Sequence, residues 1–272
     1  MMFRSIKVKV LVLQTGLILA IALAIGITTY LLMLTTMKKT QQQHLQYSAE
    51  HISENLNSLI KYKKQLLEKI ATSEVVSSYC KKRNESLLIE YFDKFKSQFP
   101  VLAYVNEDGM EEFKLVNGKV SKNLFNIKDS SIFEEAAWHT NTTISSYHVF
   151  CSEPNGPYVL FSYCYRNYFD EFVGLIVGEI PIVDFAGIIH EFRFGRSGFA
   201  VMINDEGTVL SCRDKSLLLT KIAIEGVDAN QIIAGIKALK SSTGRARILG
   251  IDGLFACAPV QGQNWLVFDS AL

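Results

Sequence analysis

The chain has 272 residues, 49% of them hydrophobic and 20% charged, with a formal net charge of +1. That length holds about two domains, and the near-neutral balance gives no case for a nucleic-acid partner, which usually leaves a basic face. Its five cysteines, Cys80, Cys151, Cys164, Cys212 and Cys257, include no C-x-x-C pair, which removes zinc-ribbon and thioredoxin-type chemistry.

No charged residue occurs from Val10 to Met37, and most of that stretch is Leu, Ile, Val and Ala. Crossing the roughly 30 Å hydrocarbon core takes about 20 apolar residues, so residues 10–37 predict a transmembrane helix behind a short segment, residues 1–9. A cleaved signal peptide has a shorter apolar core ending at small residues. Ala20, Ala22 and Ala24 offer such a site, but the apolar run continues well beyond them, which favours an uncleaved anchor. Arg4, Lys7 and Lys9 precede the span and Lys38 and Lys39 follow it. The positive-inside rule then sets residues 1–9 in the cytoplasm and residues 38–272 on the periplasmic or extracellular side of the inner membrane.

Residues 38–84 predict a long extracytoplasmic helix, with no Pro or Gly between Lys38 and Arg83. Leu45, Ala49, Ile52, Leu56, Leu59, Leu66 and Ile70 keep a 4–3 rhythm, and Lys63 takes the one slot that is not apolar. Such a stripe buries one seam. Either a second copy fills it, giving a homodimer through residues 45–70, or the helix packs on its own domain.

A second helix is expected from Ser86 to Gln98, closed by Pro100. Strands follow at VLAYV and MEEFKLV, then a short helix at SSIFEEAAWHT, then strands at TTISSYHVF, PYVLFSYCYRN and EFVGLIVGEI. That order describes a five-stranded antiparallel sheet with helices on one side, an α+β module over residues 85–184. After a connecting helix at PIVDFAGIIHEF, a second module over residues 185–272 starts with strands FAVMI and TVLSC. SLLLTKIA and DANQIIAGIKALKSS read as helices, the latter ended by Gly244, and strands GRARILGI, GLFACAPV and NWLVFDSA close the set through the turns IDG and QGQN.

The turns VNEDG (residues 105–109) and INDEG (residues 203–207) are nearly the same phrase, each between apolar runs. Gly accepts φ > 0 there, and the Asn and Asp side chains bond the turn backbone. Written twice at domain-sized separation, the phrase predicts one β-unit built twice. A hairpin centred near Asn155 sets Cys151 opposite a residue near 158, not Cys164, so register disfavours that disulfide and buried free thiols are expected.

The phrases FPVLAYVNEDGMEEFKLVNGK, YFDEFVGLIVGEIPI, FRFGRSGFAVMINDEGTVLSCRD and GQNWLVF together resemble the double Cache (dCache, tandem PAS-like) extracellular sensor domains of bacterial signal-transduction proteins. The resemblance covers nearly all of the chain from Lys38 on. It implies small-molecule binding in a membrane-distal module and signalling through the long helix in a histidine kinase, chemoreceptor or diguanylate cyclase. Cys212-Arg213 stands where many relatives carry His-Pro, which puts any role of that loop in doubt. Relatives continue through a second span into an output domain, whereas this sequence ends at Leu272. The expectation is therefore a fragment of a longer receptor, or an anchored binding protein acting through a separate membrane partner. With no Ser-His-Asp set or metal triad in view, neither catalysis nor a cofactor is expected.

A ligand of the resembled type sits between the distal sheet and its covering loops. In a regular strand Phe161, Tyr163 and Tyr165 share one face, while Ser162, Cys164 and Arg166 share the other. The candidate ligand-binding residues are Trp138, Tyr147, Tyr163, Tyr165, Arg166 and Asp170. Phenols give flat walls with a donor at the rim, Arg166 suits a carboxylate, Asp170 an ammonium, and Trp138 a cap. The expected ligand is an amino acid, a carboxylate or an amine. Arg166 joins Tyr163 and Tyr165 in one pocket only where the strand bends or bulges. The alternative is that the aromatics pack on their own helices and Arg166–Asp170 is an exposed pair of little worth. His139 and His148 lack a third metal ligand nearby, and the G-x-x-G at Gly195–Gly198 precedes a strand, so it is no phosphate loop.

Overall fold

A 66-residue helix, α1 (Ile6–Ala71), leads into the body of the protein. The structure, a computed structural model, describes residues 6–130, 133–134, 144–148, 158–167, 169–182, 184, 189, 198–204, 206–222, 224–225, 241–248, 251–262 and 265–271. From Val10 to Gln41 every side chain of α1 is exposed. Among the described residues α1 is the one helix long and apolar enough to cross a membrane. Hydrophobic surface of this extent with no protein against it is suited to lipid.

The long helix stops short of its expected end at Arg83. Ser73 turns to extended backbone (φ −70, ψ 152), and its hydroxyl accepts the Val76 N–H, capping a new helix, α2 (Glu74–Lys82). Arg83 closes α2 in the left-handed region (φ 54), and α3 (Glu85–Asp93) follows, somewhat shorter than the expected Ser86–Gln98 helix.

Strands β1 (Val101–Asn106), β2 (Glu111–Val116), β3 (Lys119–Val120), β4 (Ile144–His148), β5 (Tyr158–Arg166) and β6 (Phe172–Pro181) form an antiparallel sheet in the order β3-β2-β1-β6-β5-β4. A second antiparallel sheet holds β7 (Phe199–Asn204), β8 (Val209–Cys212), β9 (Ile224–Glu225), β10 (Ser242–Ile248), β11 (Ile251–Val260) and β12 (Trp265–Ala271), ordered β8-β7-β12-β11-β10-β9. Without the two-residue edge strands β3 and β9, the same five-strand order remains in both. This is the expected α+β tandem.

The two copies agree in detail at the repeated turns. Asn106 Oδ1 accepts the N–H groups of Asp108 and Met110, and Asn204 Oδ1 those of Glu206 and Thr208. Gly109 N–H donates to the Asn106 carbonyl and Gly207 N–H to that of Asn204, each at 3.0 Å. The next segment returns to the turn alike, Ile127 N–H reaching Gly109 O and Ile222 N–H reaching Gly207 O, both at 2.8 Å. A bulge follows between Tyr104 and Val105 in one copy and between Met202 and Ile203 in the other.

The stripe on α1 is filled from within the chain. Leu45, Ala49, Ile52 and Leu56 have no exposed surface. The first two pack with Ala256 and Ala258 of β11. Further along, α1 shares one core with Leu102, Phe161 and Ile176 of the first sheet and Met202, Trp265 and Val267 of the second. The seam that would have joined a homodimer therefore meets the chain's own sheets, because a 3.5-residue stripe suits either partner and two apolar sheet faces are at hand. A second copy would meet the opposite face, where Tyr47, His51, Glu54, Ser58 and Tyr62 are exposed. The second sheet lies nearer the apolar stretch of α1.

Three local expectations are corrected. SLLLTKIA is no helix: after a single 3-10 turn (Lys215–Leu217), Leu219 goes left-handed (φ 64) and the chain runs back along β8, Val209 N–H meeting Thr220 O at 2.9 Å. Gly244 ends no helix either; it lies inside β10 opposite Phe255. Ile248 pairs with Ile251, so that hairpin closes ahead of IDG. The expected helices at SSIFEEAAWHT, PIVDFAGIIHEF and DANQIIAGIKALKSS lie mostly outside the described residues, as does Cys151. Cys80, Cys164, Cys212 and Cys257 are free thiols.

Candidate functional site

Strand alternation gives the first sheet two different faces. Val159, Phe161 and Tyr163 of β5 look toward α1. Tyr158, Leu160 and Cys164 look the other way, joined by Val101, Ala103, Val105, Leu175 and Val177 from the neighbouring strands. On this outer face lies a recess lined by Glu111, Lys114, Phe125, Ile127, Leu160, Val177 and Glu179, whose enclosed part has room for about one water.

Three charged side chains sit in that apolar setting. Lys114 is 2% exposed, and Glu111 and Glu179 are each 5% exposed. Lys114 Nζ is 3.3 Å from Glu111 Oε1 and 3.8 Å from Glu179 Oε1, with the Phe125 ring 5.1 Å away. The Phe125 N–H donates to Glu111 Oε2 at 2.9 Å. The bulge in β1–β2 aims Glu111: Val105 pairs with Glu111 while Tyr104 pairs with Phe113. The extra residue brings Glu111 onto the face of Lys114, and Glu112 turns instead toward Arg83 and Asn106.

The duplicated module offers an internal comparison. Val105 pairs with Glu111 as Ile203 pairs with Val209, Ala103 with Lys114 as Val201 with Cys212, and Val101 with Glu179 as Phe199 with Ser270. The second sheet thus forms the same strands with Val209, Cys212 and Ser270 where the first has Glu111, Lys114 and Glu179. Nothing in the strand order requires charge there.

The residues expected from the sequence are divided between the faces. Tyr163 packs against the α1 side, where burial and then the Glu68 carboxylate push its phenol up. Tyr165 lies two residues on, opposite Gly174, and a bulge follows between Tyr165 and Arg166. Arg166 is a neighbour of Cys164, whose thiol burial pushes up while Arg166 pulls it down. Arg166 Nη1 donates to the Asp170 backbone carbonyl at 2.8 Å, so Asp170, at φ 62, meets it through main chain. Tyr147 holds a place on β4 opposite Val159; its side chain, and all of Trp138 and His139, lie outside the described residues. Glu111, Lys114 and Glu179 were not anticipated. The available signal was charge inside otherwise apolar runs, EEFKLV and LIVGEI.

No protein-family model matches the chain, and no curated protein matches it. Solved structures do. The extracellular domain assigned to the histidine kinase rpHK1S-Z16 superposes with a TM-score of 0.67 at 15% identity, covering 85% of this chain and 94% of that one. The ligand-binding domain of the Pseudomonas fluorescens chemoreceptor CtaA, in complex with L-isoleucine, gives 0.62 at 12% identity over 87% and 94%. That of the Pseudomonas aeruginosa PAO1 amino acid chemoreceptor PctC, in complex with GABA, gives 0.63 at 14% over 85% and 100%. At such identities what is shared is the fold: a tandem PAS-like, Cache-type fold.

Proposed function

We propose that this chain, built on the fold of extracellular sensor domains, is the membrane-anchored ligand-sensing region of a bacterial signal-transduction receptor. Residues 10–37 anchor it. A small molecule binds in the membrane-distal module, residues 85–184, and the membrane-proximal module, residues 185–272, passes the change to α1. A ligand shifts such a balance only by its difference in affinity between two states.

The observation that carries this reading is the buried Glu111–Lys114–Glu179 cluster on the outer face of the distal sheet, set where the proximal module has Val209, Cys212 and Ser270. Burying charge is costly even when, as here, the charges pair with one another, so a cluster that the fold does without in the proximal module suits a role in meeting a ligand's polar groups. L-isoleucine and GABA, held by two of the structural neighbours, each carry an ammonium and a carboxylate. Carboxylates at Glu111 and Glu179, with cations at Lys114 and at Arg166 on the same face of β5, complement both ends. Asp170, Tyr147 and Trp138 remain proposed rim and cap residues; Tyr163 and Tyr165 belong to the α1 side and link the site to the helix.

The test is a thermal-shift screen of the full chain in detergent against L-amino acids, small carboxylates and amines. A ligand at a hundredfold excess over Kd stabilises by about 2.7 kcal/mol. A hit should lose its shift in the variant combining Glu111→Val, Lys114→Cys and Glu179→Ser, which copies the proximal module. A shift that survives this replacement rules the recess out.

A further inference from the structure

Asp269 is a carboxyl group buried between a sheet and a helix. It lies on β12 between Ala256 of β11 and Ala200 of β7, with none of its surface exposed. Alternation sets it on the side of Trp265 and Val267, which pack in the core shared with α1. Ser48 of α1 stands beside it, yet neither carboxylate oxygen closes a hydrogen bond of good geometry.

Among the described residues its surroundings are nearly free of charge. The neighbours on that side are Ala200 and Met202 from β7 and Ala256 and Ala258 from β11. On α1, His44, Tyr47 and His51 are exposed, and Glu50 is engaged by Gln46 Nε2 at 3.0 Å. Register sets Arg245 and Arg247 of β10 on the same side, two strands across, with Arg247 exposed. The distal module does without a carboxyl at this place. There Gly178 pairs with Leu102 as Asp269 pairs with Ala200, and the Phe99 ring covers it, 2.6 Å from where a Cβ would stand.

An ionised carboxylate in such a place loses its water, and the Ser48 hydroxyl and the Ser270 N–H beside it offset only part of that loss. Burial accordingly pushes the Asp269 carboxyl up from 3.8 to about 6.

We propose that Asp269 is a proton-sensitive latch between the membrane-proximal sheet and α1, seating the helix when neutral and loosening it when ionised. This control is separate from ligand binding in the distal module. Between 3.8 and about 6 the seated state holds the proton and the released state does not. The grip is therefore strongest below that window and is lost as pH rises through about 6.

The experiment is hydrogen exchange of the Leu45–Ile52 amides in the full chain, in lipid nanodiscs from pH 4.5 to 7.5, corrected for intrinsic chemistry. Exchange in the wild type should rise with a midpoint near 6, by roughly 25-fold across that range. Asp269→Asn, locked in a neutral form, should stay protected throughout. Carboxyl carbon NMR of the wild type gives the midpoint directly and does not depend on the variant folding. A carboxyl midpoint near 4, a flat wild-type exchange profile, or the wild-type step persisting in Asp269→Asn would each overturn the proposal.

Discussion

The Lys63 ammonium donates to the Gln98 carbonyl at 2.6 Å and to the Gln98 side-chain oxygen at 3.0 Å, tying α1 to the segment that enters β1. Only 8% of Lys63 is exposed, and its Nζ lies 5.3 Å from the centre of the Phe99 ring. Burial draws its pKa down, and Asp184, beyond the end of β6, opposes that. The one polar slot in the apolar stripe is thus a tie between helix and distal module. Lys63→Ala should lower the unfolding free energy by about 1.5–3 kcal/mol, since the Gln98 carbonyl loses a charged donor. Lys63→Met should lose less, because it keeps the apolar stem. Urea midpoints by circular dichroism decide this, and wild-type midpoints in both variants would refute the tie.

The two turn glycines should respond unequally to the same substitution. Gly109 (φ +80) and Gly207 (φ +75) both occupy the left-handed region, where a side chain costs about 1–2 kcal/mol. At Gly109 a Cβ would also stand 2.6 Å from the Lys128 Cα, whereas at Gly207 the nearest atom is Ile222 Cγ2 at 3.6 Å. Gly207→Ala should therefore cost about 1–2 kcal/mol, and Gly109→Ala should cost about 1–3 kcal/mol more from the clash. Equal midpoints in chemical denaturation would show that the segment at Lys128 yields.

These turns also show what was legible in the sequence. NEDG and NDEG are local chemistry: an Asn that bonds two N–H groups ahead and a Gly that accepts positive φ need no tertiary context. The strand boundaries around them were readable for the same reason. The aim of Glu111 was not, because it depends on a bulge that shows only in the pairing of β1 with β2. Tyr163 could be assigned to the face of Phe161, but whether that face meets α1 or a ligand is decided by where the helix lies. SLLLTKIA has helical apolar spacing, yet hydrogen bonds to β8 hold it as a returning segment. The seam on α1 was visible, while its partner was not.

Lys114 separates structural from functional charge. Lys114→Met alone leaves Glu111 and Glu179 buried without the ammonium they share, and losing one partner of a buried ion pair costs about 3–5 kcal/mol. Replacing the whole cluster by the proximal module's Val, Cys and Ser should leave stability within about 1 kcal/mol of wild type, since buried ion pairs exchanged for apolar groups are often neutral. Denaturant titration of the two variants checks the ordering. A combined variant less stable than Lys114→Met would mean that the cluster holds the distal sheet together.

Global stability should carry the imprint of Asp269 as well. Its carboxyl is pushed from 3.8 to about 6 by burial, so ionisation in the folded chain is opposed by roughly 3 kcal/mol at most, at 1.36 kcal/mol for each pKa step. That penalty is absent near pH 3.8, where little of the group is ionised in the folded chain, and complete above about 6. Asp269→Asn removes the ionisation while keeping the size of the side chain. The variant should gain about 2–3 kcal/mol over wild type at pH 7.5 and lie within about 0.5 kcal/mol of it at pH 4. Urea melts at the two values measure the difference. A gain that is the same at both would assign the effect to packing against Ser48 and remove the proton from the account.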